Sequence, residues 1–161
     1  MTCGVVRVAI ALLCVVGCGD GDDRARAVIT TERMLAIATA IEQFSTDLAW
    51  YPTTEEIYDQ RSIFRQKYGV NLVFVDAWGS PIEVKSWISG KNTKYGNFPD
   101  EYSITSLGAD RKVDLNRDQK HGRNSDWSED AVFKTGTWAR WWAVEPPAGR
   151  TSLGSWPGSP P

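Results

Sequence analysis

Every cysteine in the chain lies within the first eighteen residues, at Cys3, Cys14 and Cys18, so no disulfide can staple anything beyond that point. Whatever the remaining sequence folds into must be held by burial and hydrogen bonds alone. With 161 residues there is room for one ordinary domain with a modest core. The 18 basic and 20 acidic side chains give a formal net charge of -2, which leaves no broad basic face for a nucleic acid. At 42% hydrophobic residues, the chain is not an acidic, solvating disordered polymer either.

The same cysteines sit in a recognisable leader. Arg7 precedes an apolar run from Val8 to Val16, closed by the small residue Gly17. This is the layout of a secretory signal peptide, and the run is too short to span a bilayer as a helix. Val15-Val16-Gly17-Cys18 resembles the lipobox of bacterial lipoproteins, where the cysteine thiol is acylated and becomes the new first residue. The resemblance implies a signal peptide over 1–17 and a membrane anchor on Cys18, with the chain facing the periplasm. The plainer alternatives are an ordinary signal peptide cut elsewhere, or a buried apolar helix. Gly19-Asp20-Gly21-Asp22-Asp23 reads as a flexible acidic tether, with the anchor and tether together covering 18–29.

A folded domain is expected over 30–145. From Thr30 to Leu48 the apolar residues Met34, Ile37, Ile41, Phe44 and Leu48 advance by three or four, the stripe of an amphipathic helix. Pro52 stops it, and Thr53 with Glu56 has capping-box spacing for a second helix running to Tyr68 and ended by Gly69. Strands are predicted at Asn71–Val75, Ile82–Ile88, Tyr102–Ser106, Ala131–Phe133 and Thr137–Trp142. A polar loop covers 89–99, and a longer one Gly108–Glu129. Residues 146–161 are Pro/Gly/Ser-rich and read as a disordered tail. The fold class is α+β, a long N-terminal helix packed on a small antiparallel sheet.

Three islands stand out along this framework: Tyr51-Pro52-Thr53-Thr54, Asp76-Ala77-Trp78-Gly79-Ser80-Pro81, and Tyr102-Ser103-Ile104-Thr105-Ser106-Leu107-Gly108-Ala109-Asp110. Together they resemble the major, G-type pseudopilin of type II secretion systems over about residues 30 to 130. The resemblance implies a helix-and-sheet domain with a calcium-binding loop after the third island. Carried across, Leu107 offers its carbonyl and Asp110 its carboxylate, with Asp114, Asn116 and Asp118 as the nearest further oxygen donors. Calcium takes six to eight hard oxygen ligands, which such a loop can supply. The alternative is a solvated loop whose carboxylates are neutralised by Arg111, Lys112, Arg117, Lys120 and Arg123.

The departures from the family are specific. Arg111 stands where the family has glycine, and Ala77 where it usually has proline. A lipobox replaces the prepilin peptidase site, and the charged residues Asp22, Asp23, Arg24 and Arg26 stand where a filament helix needs apolar ones.

No Gly-rich phosphate loop, nucleophile–histidine pair or Cys/His metal cluster is present in the sequence. The lone histidine, His121, lies in a basic stretch. The expectation is therefore a non-enzymatic envelope lipoprotein without a small-molecule substrate, acting as a structural or adaptor part of a secretion or pilus-like machine. Of eight Trp, Trp50 and Trp78 are expected between helix and sheet. Trp138, Trp141 and Trp142 either cover the sheet or form an aromatic patch for a protein or glycan partner, and the patch defines the alternative function, a free-standing binding module.

Overall fold

A computed structural model of the chain describes residues 19–90, 97–114, 122–123 and 126–142. The first helix, α1, runs Gly19–Leu48. The expected stripe is its buried face: Met34, Ile37, Ile41 and Phe44 are fully enclosed, with Ala27, Ala38 and Ala40 beside them. Each fully buried Ile, Met or Phe contributes about 1.5–3 kcal/mol, so this stripe is the main cohesive element of the domain.

The helix begins eleven residues before Thr30, the predicted start, so the segment read as a tether is helical from Gly19. Two contacts account for this. Arg26 pairs with Asp22 one turn away at 2.6 Å, and Asp23 Oδ1 accepts the indole N–H of Trp78 at 2.9 Å. Ala27 and Thr30 are buried, and the Thr30 hydroxyl accepts the N–H of Ala77 at 3.0 Å. Tertiary docking thus overrides a Gly/Asp-rich sequence with poor intrinsic helix propensity.

Helix α2 spans Thr54–Tyr58 and carries the predicted capping box: Thr53 Oγ1 accepts from Glu56 N at 3.2 Å, and Glu56 Oε2 from Thr53 N at 2.8 Å. It does not continue to Tyr68. The chain turns at Asp59–Ile63, where Asp59 Oδ1 accepts the Arg61 N–H and Ser62 Oγ accepts the Arg65 N–H. A π-helical turn follows at Phe64–Tyr68. Short polar side chains that bond the backbone locally favour such breaks.

The strands are β1 (Glu83–Trp87), β2 (Glu101–Ser106), β3 (Gly122–Arg123), β4 (Ala131–Lys134) and β5 (Thr137–Trp141), in spatial order β1-β2-β4-β5-β3. The first four in that order are antiparallel, and the two-residue β3 joins β5 in parallel. Asn71–Val75, predicted as a strand, makes only an isolated bridge between Val75 and Pro81. Leu72 and Phe74 lean on the core while Val73 and Val75 are exposed, so the alternation exists without a neighbouring strand among the described residues.

Register separates the two faces of the sheet. Val84, Ile104 and Phe133 form one row across β1, β2 and β4 and pack with the α1 stripe. Thr105, Val132 and Arg140 form the next row, on the face away from α1. All three are nonetheless buried, so that second face is also covered here. Among the described residues, no helix is long and apolar enough to cross a membrane.

Candidate functional site

The three sequence islands meet in the folded chain. In the second, the Asp76 carboxylate is 2% exposed and organises the turn: Oδ1 accepts the N–H of Trp78 at 3.0 Å and of Ser80 at 2.8 Å. Gly79, at φ 90°, closes that turn. Asp76 Oδ2 accepts the hydroxyl of Ser106, from the third island, at 2.9 Å. Tyr51, from the first, stacks edge-on against Tyr102 with ring centroids 4.9 Å apart, and both phenols donate to Glu42 of α1.

Beyond Ser106 the chain enters the loop expected to hold calcium. Gly108 adopts φ 71°, and a Cβ there would lie 2.6 Å from the carbonyl oxygen of Trp127. Only glycine fits, because the loop's outgoing and returning arms touch at this point; Ala109 N donates to the same oxygen at 2.7 Å. Arg111 keeps the left-handed conformation of a glycine, φ 58°, and its guanidinium donates to the Trp78 carbonyl. It therefore braces the second island.

Among the described residues, a different arginine meets the loop's acids. Arg140 on β5 is 2% exposed, with Nη1 2.6 Å from Asp114 Oδ2 and Nη2 3.4 Å from Glu129 Oε2. Asp114 and Asp130 exchange backbone-to-carboxylate hydrogen bonds at 3.1 and 3.2 Å. Trp142 Nε1 adds a bond to the Glu129 carbonyl at 3.0 Å. The loop's two ends are thus tied to each other and to the sheet. The signal for Arg140 in the sequence was weak: an arginine among tryptophans, its main partner 26 residues away.

Of the five expected calcium ligands, Leu107, Asp110 and Asp114 are described, while Asn116 and Asp118 lie outside the described residues. Asp110 is exposed and accepts the Lys112 N–H at 2.9 Å. Asp114 gives the same carboxylate oxygen to Arg140 and to Asp130 N. Among the described residues no group of three or more His, Cys, Asp or Glu side chains could hold a metal ion. Among the described donors, Asp114 is thus committed to Arg140, and Asp110 to its own turn.

The tryptophans divide. Trp142 is 1% exposed and packs edge-on against Trp78 at 5.1 Å, so it belongs to the core and offers no surface to a partner. Trp141 is 40% exposed. The Trp138 side chain and Cys18, the expected lipid-bearing residue, lie outside the described set, as do residues 146–161.

No protein-family model matches the chain, and no curated protein matches it.

Proposed function

We propose that the chain is a lipid-anchored, non-enzymatic component of the bacterial cell envelope, built on a G-type pseudopilin-like domain and serving as a structural or adaptor part of a secretion or pilus-like machine. The observation that carries this reading is the junction of the three islands, Asp76 bonded to Ser106 and Tyr51 packed on Tyr102. Motifs that resemble one family in sequence order, and that converge on one core, act as parts of a single structural unit. Helix α1 supports attachment by lipid over assembly into a filament. It carries Asp22, Asp23, Arg24 and Arg26 at its start and packs along its apolar stripe into its own domain.

Two measurements on the full chain in its native membranes test the proposal. Metabolic labelling with a fatty acid should mark the protein, and Cys18→Ala should abolish the label. Photocrosslinking from the exposed surface of the domain should give adducts with secretion-machinery proteins. Retention on immobilised envelope glycan, lost with Trp141→Ala and without such adducts, would replace this reading with that of a free-standing binding module.

A further inference from the structure

The segment between Gly108 and Asp130 is acidic at both described ends, with Asp110 and Asp114 on one side and Asp126, Glu129 and Asp130 on the other. Arg140 stands in the buried row Thr105–Val132–Arg140, on the face of the sheet away from α1. It meets Asp114 from the outgoing arm and Glu129 from the returning arm. Asp130, fully buried, adds the reciprocal bonds with Asp114. A planar guanidinium bears a permanent charge and a fixed fork of donors, so it can bridge two carboxylates from different segments.

We infer that Arg140 is a built-in cation that closes this loop, doing for the chain what a bound divalent ion does in a calcium-closed loop, and that the fold is therefore insensitive to calcium. The inference stands on the Arg140 geometry and is independent of the envelope reading. Three features support it. Asp114 Oδ2, from a carboxylate expected as a metal ligand, is in direct contact with Arg140 Nη1. A guanidinium enclosed to this degree is rare in proteins unless it is paired with acids, as here. Finally, Gly108 brings the loop's arms together by backbone contact, which sets Asp114 and Glu129 within reach of one cation.

The test is a thermal melt of the full chain in detergent, in millimolar calcium and then in chelator, alongside hydrogen exchange at the amides of Ala109, Asp114 and Asp130. The wild-type midpoint should be the same in both conditions to within about 1 °C, where an ion bound only by the folded state shifts it by roughly 3–8 °C. Arg140→Met should speed exchange at those three amides and lower the midpoint. Pairing it with Asp114→Leu should recover part of the loss, because removing both charges leaves neither one buried alone. If Arg140→Met does not fold, the wild-type calcium comparison still decides. A calcium-dependent rise in the wild type that disappears in Asp114→Asn would overturn the inference, and so would unchanged exchange in a folded Arg140→Met.

Discussion

Asp76 and Ser106, thirty residues apart in sequence, share a hydrogen bond of 2.9 Å between a buried carboxylate and a buried hydroxyl. The same carboxylate holds two backbone N–H groups of its own turn. Asp76→Ala should therefore cost about 3–5 kcal/mol, since it leaves several buried polar groups without their acceptor. Asp76→Asn keeps the shape and one acceptor oxygen, and should lose about half as much. Denaturant midpoints at constant slope give both numbers. An alanine cost under about 1 kcal/mol would mean that water replaces the carboxylate.

The free edge of the sheet is managed by α2. In β1 the N–H groups of Val84 and Ser86 point away from β2, and they donate to Tyr58 Oη at 2.8 Å and Thr54 Oγ1 at 3.0 Å. Side chains thus occupy the donors through which another strand would pair. Tyr58→Phe with Thr54→Val should cost about 1–2 kcal/mol in total and add concentration-dependent association. Light scattering and size-exclusion chromatography read the second effect. A double variant that stays monomeric at high concentration would place the protection elsewhere, in the charges of Glu83 and Lys85.

How far these relationships could be read in advance depended on their range. The α1 stripe was legible because helical burial repeats every three to four residues, and Met34 to Phe44 keep that period. The capping box at Thr53 and Glu56 was legible because its two bonds span only three residues. The start of α1 was not, since Asp23 gains its helical place from Trp78, 55 residues away. Asn71–Val75 has the alternation of a strand, but periodicity cannot say whether a partner strand is present. The Arg140 clamp was hidden for the same reason, and one of its acidic partners, Asp114, reads equally well as a metal ligand. Carboxylates in a loop attract either kind of cation, and composition alone does not choose between them.

Glu42 sets an alkaline limit on the fold. Its carboxylate accepts Tyr102 Oη at 2.7 Å and Tyr51 Oη at 3.4 Å. Burial, reinforced by the Glu42 charge and its hydrogen bond, pushes the Tyr51 phenol up to about 12, and the same causes raise Tyr102 further. In the unfolded chain both titrate near 10. Below that value the phenols are protonated in both states and the stabilisation is fully present. As pH rises past about 10, the unfolded chain binds fewer protons than the folded one, so stability falls progressively toward the folded values. Tyrosinate absorbance should show Tyr51 and Tyr102 ionising only as the protein unfolds. Tyr102→Phe should flatten the alkaline loss of melting temperature. A titration in which every tyrosine ionises near pH 10 with the fold intact would contradict this.

Ala49 terminates α1 in the left-handed region, at φ 69°, with its N–H bonded to the Ser45 carbonyl at 2.7 Å. This is the position after a helix where glycine is favoured, because a Cβ crowds the neighbouring carbonyl there. The left-handed conformation costs an alanine about 1–2 kcal/mol, while glycine gives back about 0.5–1 kcal/mol through the greater entropy of the unfolded chain. The first quantity is the larger, and Ala49 is exposed, so no packing is lost on removing its methyl group. Ala49→Gly should therefore stabilise the domain by about 0.5–1 kcal/mol, a rise of a few degrees in melting temperature. A fall would mean that the α1 terminus differs in solution, with Ala49 continuing the helix toward Trp50.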